Sequence, residues 1–376
     1  MKRIGIHTIT DYANYGNRLQ NYAVQEILKS LDFEVETIVN RFPLNNVTVT
    51  FKMRLLRLFS QSPLILIKKI TDKIGEHSQR ALLRECKQKK IATFRAFTNK
   101  YIIETPFTIS DKEVPEHINE RYDFCVTGSD QIWNPNIRFG STLDFLSYVS
   151  PEKRIAFSPS FGVSHIPDNY KDLYRKYLLE MKTLSVREDR GAEIIFQLCG
   201  QIATVLVDPT LMLTSDQWLA ISKPATAKPT NSYLLTYFIG DISNKRMKIL
   251  EHIADLKNLE IVQMNSLRDS KRYDADPAEF IDYIKNAEIV CTDSFHSSIF
   301  SIIMERPFVV FNREGKSAVM SSRIDTLLNK LNLQHRWLHN IKSDEDFFKV
   351  NFLHVPEIIE NERNKFYSYL RNAFEI

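Results

Sequence analysis

The feature that most constrains this chain is a repeated alternation of short apolar runs with longer amphipathic ones. "RIGIHTI" near the N-terminus is a compact strand. After the loop Thr10–Gly16, a helix reaching to about Ser30 places Leu19, Ala23, Val24, Ile27 and Leu28 on one face. "FEVETIV", "DFCVTG", "RIAFSPSF", "TLSVRE" and "ATVLVD" follow as further strands. Short apolar strands separated by helices indicate a parallel sheet covered on both faces. Several of these strands end in Gly, Ser or Asp, the places where parallel sheets begin their functional loops.

Residues 221–232, "ISKPATAKPTNS", interrupt the alternation with Pro, Thr, Ser and Lys and read as a linker. The pattern then restarts with "YLLTYFI", a helix near 244–257, "EIVQM", a helix near 277–286, "EIVCT", a helix from about 295, "PFVVF" and a helix near 322–331. Two doubly wound units in series predict an α/β protein of GT-B-like architecture: two Rossmann-like domains, 1–220 and 221–376, with a cleft between them. An inserted helical segment is expected at about 46–110, and a last helix over 356–374 that packs back on the first domain.

The length of 376 residues suits two domains, and 43% hydrophobic with 26% charged residues is a globular composition. A formal charge of +4, from 50 basic and 46 acidic residues, is too mild for a nucleic-acid partner but suits an anionic small substrate held in a cleft. No apolar run approaches a membrane span. The N-terminus enters a strand at once, so no secretory signal is expected and a cytoplasmic location is. Cys86, Cys125, Cys199 and Cys291 show no Cys-x-x-Cys spacing and read as free thiols rather than zinc ligands. Within 51–75, Lys52, Arg54, Arg57, Lys68, Lys69 and Lys73 alternate with Leu, Ile and Phe, and Pro63 divides the stretch into two short helices. The segment reads either as a pair capping the first sheet or as a peripheral contact with the inner face of a membrane.

Four loops carry candidate chemistry. In "VCTDSFHSSIF" the strand ends near Thr292, and Asp293 or Ser294 caps the next helix. His296 then lies in its first turn, at the carboxyl edge of the sheet. Free backbone N–H groups and the helix dipole favour an anion there, and a histidine can donate to it or move a proton. A capping or packing histidine is the alternative. In "TLSVREDRG", Arg187 ends a strand and can grip a carboxylate or phosphate, or pair with Glu188, Asp189 or a neighbouring loop. "CVTGSDQIWNP" offers Gly128, Ser129 and Asp130, the last as a base toward a sugar hydroxyl or as a helix cap. "DYANYGNRLQNYAV" offers Asn14, Gly16, Asn17 and Arg18, suited to sugar hydroxyls or to a tight turn. Dinucleotide, Walker, zinc-peptidase and serine-hydrolase motifs do not occur.

Taken together, "NYGNRLQNYAV", "FCVTGSDQIWNP", "SPSFG", "SVRE", "VDPTLML" and "TDSFHSSIFSIIMERPFVVF" resemble, in order and spacing, the polysaccharide pyruvyl transferase family. The resemblance covers most of the chain. It implies transfer of the pyruvyl group of phosphoenolpyruvate to a sugar of a cell-surface polysaccharide or its lipid-linked precursor as a ketal, with Arg187 and His296 holding the donor. Proton transfer then falls to His296 and Asp130. Neither a metal nor a cofactor is implied, and the partners are phosphoenolpyruvate and a glycan acceptor. Some members carry an arginine where this chain has Ser294, so Arg323 or Arg313 is expected to supply that charge. Many have small or apolar residues where Asn17 and Arg18 stand, which implies a different acceptor. Two further readings fit the same fold: a glycosyltransferase using a nucleotide sugar, and a non-catalytic glycan-assembly protein.

Overall fold

In the computed structural model of the chain, the described residues are 1–41, 63–240, 242–314 and 322–376, with the backbone alone for 63–80. Strands β1 (Arg3–His7), β2 (Glu34–Asn40), β3 (Glu104–Ile109), β4 (Phe124–Thr127) and β5 (Arg154–Ala156) form a parallel sheet in the order β3-β2-β1-β4-β5. A parallel pair, β6 (Ser185–Val186) and β7 (Thr204–Val205), continues beyond β5, where Ile155 bridges to Thr183. The second parallel sheet holds β8 (Tyr233–Tyr237), β9 (Glu260–Met264), β10 (Ile289–Thr292) and β11 (Phe308–Val310) in the order β11-β10-β8-β9. Each sheet is doubly wound, so the chain has the GT-B-like α/β architecture that the alternation predicts.

The strand order fixes where a ligand can lie. The first sheet grows outward from β1 through β2 and β3, and on its other side through β4 and β5. The second grows from β8 to β9 one way and through β10 and β11 the other. The crevices of such sheets open beyond the carboxyl ends of the strands at these reversals, between β1 and β4 and between β8 and β10. All four candidate loops follow parallel strands, and three of them follow β1, β4 and β10.

Apolar faces join the two halves. Helix α1 (Tyr15–Lys29) sends Tyr15 across to stack on Phe280 of another helix at 4.4 Å, with Tyr237 at 5.4 Å. Trp218 lies between Tyr22 of the first half and Phe300 of the second, at 5.6 and 4.9 Å. At the C-terminus a 20-residue helix, Val355–Phe374, packs Phe366 on Phe157 and Phe374 on Phe33, and Tyr369 donates its hydroxyl to the Ala156 carbonyl at 2.6 Å.

Two details depart from the sequence reading. Strand β3 falls inside the expected helical insert. Its Pro106 and polar residues hide it, and it tolerates the proline because it sits at the sheet edge. The helix that begins at Pro63 is not short: α2 (Pro63–Tyr101) runs for 39 residues, with the proline in the first turn, where it costs no hydrogen bond. Residues 51–62 of the basic segment lie outside the described residues. No described helix is long and apolar enough to cross a membrane.

Candidate active site

Ser294 is the N-cap of helix α3 (Phe295–Ile303), its side chain accepting from the Ser297 N–H at 3.4 Å. Thr292 Oγ1 bonds the Tyr237 carbonyl at 2.5 Å and accepts from the Ser294 N–H at 3.0 Å, so β10 hands directly into the helix. His296 therefore stands in the first turn, at the β8/β10 reversal. Across the crevice is Gly16: a Cβ on that residue would fall 2.0 Å from His296 Nδ1. Only glycine allows α1 to approach the ring this closely. The other ring nitrogen, Nε2, is buried 3.5 Å from Asp208 Oδ2, near enough for attraction but without a hydrogen bond.

Asp208 is the organising anion. It follows β7 and caps a short 3₁₀ turn: Oδ1 accepts from the Thr210 N–H at 3.0 Å and from Thr210 Oγ1 at 2.6 Å. Its Oδ2 takes a short charge-assisted bond from Arg187 Nη1 and lies 3.4 Å from Ser129 Oγ. Burial by itself would raise its proton affinity. The charges of His296 and Arg187, with the hydrogen bonds, overcome this and hold the carboxyl far below the ordinary range. Asp208 is thus a fixed negative charge. Arg187 is raised above its usual value in spite of burial, because Asp208, Asp130 and Glu188 all favour its charged form.

The cations outnumber what this carboxylate can satisfy. Arg187 Nε and Nη2 are buried without a hydrogen bond. Nη2 has only Asp130 Oδ1, at 3.6 Å. Arg323, on a helix over Ser322–Lys330, is 3% exposed, and among the described residues it has no hydrogen bond or ion pair. Burial and then the like charge of Arg187 pull it down to about 9, which still leaves it charged near neutrality. The ring of Phe295 serves both guanidiniums, with Arg187 4.7 Å and Arg323 5.5 Å from its centroid. Of the two arginines expected to replace the one missing at Ser294, Arg323 stands beside Arg187, whereas Arg313 donates to the Asp293 carbonyl at 3.3 Å.

The first-sheet loops close the other side. Gly128, at φ 125°, leads from β4 with its Cα against the Phe157 carbonyl, where a Cβ would come within 2.3 Å. Ser129 donates to the Ser158 carbonyl at 2.9 Å, and its N–H donates to Gln20 Oε1 at 3.1 Å. Asp130 caps no helix. It has φ 63°, and its Oδ2 accepts from Asn17 Nδ2 at 3.4 Å. Burial would raise its pKa, but Arg187, His296 and Arg323 bring it below the usual value.

Gly16, Asn17, Ser129, Asp130, Arg187, Ser294, His296 and Arg323 are thus brought together. Asn14 and Arg18 are not. Asn14 is the exposed N-cap of α1, accepting from the Asn17 N–H at 3.2 Å. Arg18 is fully buried and taken up by Glu104 at 2.9 Å, the Ile9 carbonyl at 3.2 Å and Asn17 Oδ1 at 2.8 Å. It anchors the loop to β3 rather than facing the cluster. The sequence reading did not single out Asp208, Phe295 or Glu188 as site residues. Glu188 Oε1 gathers Ser160 Oγ at 3.0 Å and the N–H of Phe161 at 2.9 Å, which ties down the "SPSFG" loop. No group of three or more metal-ligating His, Cys, Asp or Glu residues occurs among the described residues.

Two doubly wound sheets thus meet at a cluster of Arg187, Arg323 and His296 beside the carboxylates of Asp208 and Asp130. The polysaccharide pyruvyl transferase family model matches residues 14–315, and the chain belongs to that family. No curated protein matches the sequence. Among solved structures, the S. aureus MnaA–UDP co-structure is 11% identical, with 99% of this chain and 97% of that one covered and a TM-score of 0.46. A UDP-GlcNAc 2-epimerase from Methanocaldococcus jannaschii is 11% identical over 96% and 93%, with a TM-score of 0.45. MurG from Acinetobacter baumannii is 10% identical over 100% of both chains, with a TM-score of 0.41.

Proposed function

We propose that this transferase takes phosphoenolpyruvate as donor and forms a pyruvate ketal on a sugar of a cell-surface polysaccharide or its precursor. The observation that carries the reading is the surplus of buried donors: the cationic Arg187 Nε and Nη2 and Arg323 Nε, with His296 Nε2 beside them, gathered at the start of α3 in a member of this family. Buried charged donors without partners are costly, and an anion bearing both a carboxylate and a phosphate relieves them. Asp208 holds Arg187, and the Phe295 ring lies against both arginines.

The chemistry needs a proton on the methylene carbon, which makes C2 electrophilic. One sugar hydroxyl attacks C2, the C2–O bond to phosphate breaks, and a second hydroxyl of the same sugar closes the ketal. One hydroxyl proton ends on the new methyl group and the other on phosphate. His296 is the group we assign to proton delivery, and Arg187 and Arg323 stabilise the charge that develops on the leaving phosphate. Asp130, ionised and bound by Arg187 and Asn17, orients Arg187.

Incubation with phosphoenolpyruvate and a panel of free and lipid-linked glycosides tests this, with phosphate release and product mass as readouts. The expected product is the acceptor plus a pyruvyl ketal. His296→Gln and His296→Ala should each lose about 10²–10⁴-fold in rate, with the Gln variant still binding the donor. An enzyme that ignores phosphoenolpyruvate and consumes a nucleotide sugar would overturn the reading.

A further inference from the structure

We propose that Asp11, on the loop after β1, is the catalytic base that takes the proton of the attacking sugar hydroxyl. The inference rests on the pyruvyl-transfer reading above and assigns the acceptor side of that site. Two carboxylates stand at the β1/β4 reversal, and Asn17 links the main chain of one to the side chain of the other. Its Oδ1 accepts from the Asp11 N–H at 3.0 Å, and its Nδ2 donates to Asp130 Oδ2 at 3.4 Å. Their surroundings differ. Both oxygens of Asp130 are engaged, Oδ2 by Asn17 and Oδ1 by Arg187 at 3.6 Å. Asp11 uses Oδ1 alone, accepting from the Ala13 N–H at 2.9 Å, and among the described residues its Oδ2 has neither a hydrogen bond nor an ion pair. Asp11 is also half-buried rather than enclosed, so a hydroxyl can reach that oxygen.

The second lobe faces this loop with Tyr237, at the carboxyl end of β8. Its ring is fixed between Tyr15 at 5.4 Å and Phe280 at 5.5 Å. Burial and the nearby charge of Asp11 keep the phenol protonated, so it can donate to a sugar oxygen beside the carboxylate. The charged and titratable groups that bear on Asp11 are Arg18 of α1, Asp130, Lys90 of α2 and this tyrosine. Burial raises the proton affinity of Asp11, while the three cations around Asp130 lower that of its neighbour. Carboxyl groups driven apart in this way divide the acid–base work, and the one with the higher affinity is the better proton acceptor. As the sugar oxygen bonds to C2, its proton passes to Asp11 Oδ2. Asp11 later releases it to solvent and ends the turnover ionised. The proton balance given above is unchanged.

Asp11→Asn keeps an oxygen for the Ala13 N–H and removes the base. We expect kcat to fall about 10²–10⁴-fold, phosphoenolpyruvate affinity to stay within about twofold, and the acidic limb of the kcat/KM pH profile to vanish. Asp11→Glu, which keeps a carboxylate, should recover part of the rate and the limb. The proposal is overturned if Asp11→Asn works at the wild-type rate, or if it is slow but keeps the wild-type acidic limb, since that would mean a structural role. A wild-type enzyme that makes no ketal from phosphoenolpyruvate overturns the parent reading and this role together, and is recognised before any variant is compared.

Discussion

The molecule contains two buried sets of arginine, aspartate and histidine, and they are built to opposite ends. In the first lobe Arg138 grips Asp144 with two bonds, Nε to Oδ2 at 2.9 Å and Nη2 to Oδ1 at 2.6 Å, and reaches Asn40 at 3.3 Å. His7 has Asp144 on Nε2 at 3.2 Å and the Tyr148 hydroxyl on Nδ1 at 3.3 Å. In the crevice Arg187 reaches Asp208 through Nη1, and Nε is left without a hydrogen bond. His296 Nε2 has none either, and Arg323 adds a further buried cation. The same residue types make a structural rivet where one arginine clamps both carboxylate oxygens and both ring nitrogens are engaged, and a binding site where the carboxylate holds its arginine through one nitrogen and a second buried arginine stands beside it. Buried arginine and histidine are therefore uninformative as types. What distinguishes the site is the gathering of Arg187, Arg323 and His296 around the carboxylates of Asp208 and Asp130.

The largest contrast concerns stability. Arg138→Met removes two of the three side-chain bonds to Asp144 among the described residues, leaving it buried with His7 alone, and should cost about 3–5 kcal/mol. Arg187→Met should cost clearly less, because Asp208 keeps Thr210 and His296 and the repulsion with Arg323 disappears. Its penalty falls instead on turnover, about 10²–10³-fold in kcat. Urea unfolding of both variants checks this, and equal destabilisation would erase the distinction between rivet and site.

Lys90 sharpens the comparison as an intermediate case. It is 2% exposed, donates to Asn265 at 2.9 Å and lies over the rings of Tyr15, Phe94 and Tyr273 at 4.6, 5.4 and 5.4 Å. Burial lowers it from 10.5 to about 8. Between those two values the unfolded chain holds a proton that the folded protein has released, so stability rises with pH across that window. The gain should be on the order of 2–3 kcal/mol. Lys90→Met should not show it. Buried tyrosines and cysteines act in the opposite sense over the same range, so the readout is the difference between the two curves: a wild-type minus Lys90→Met difference that falls or stays flat from pH 8 to 10.5 would contradict the cage.

A smaller effect is expected at Arg323, with the opposite sign. Replacing an unpaired buried charge by an apolar side chain of similar length should stabilise the free protein by about 1–2 kcal/mol. Arg323→Met should therefore melt higher than wild type while losing donor affinity. A lower melting temperature would show that the guanidinium is structural.

Much of this was legible in the sequence. Apolar runs ending in polar residues marked most strands, and the strand–cap–helix order put His296 in the first turn. What the sequence hid depends on contacts between distant segments. "VDPT" offers no sign of a site: Asp208 caps a short turn, and only the fold shows that its other oxygen meets Arg187 and His296. Gly16 reads as a loop glycine, and the ring that demands it lies in the other lobe. Arg18 looked like a ligand because its partner Glu104 sits on an edge strand disguised by Pro106.

The most direct test of the central claim is a calorimetric titration of the wild-type protein and of Arg323→Met with phosphoenolpyruvate. One-to-one binding by wild type is expected, with an affinity at least about tenfold weaker in the variant, the loss of one charge-assisted contact. Equal affinity in the two proteins, or no binding by wild type, would contradict it.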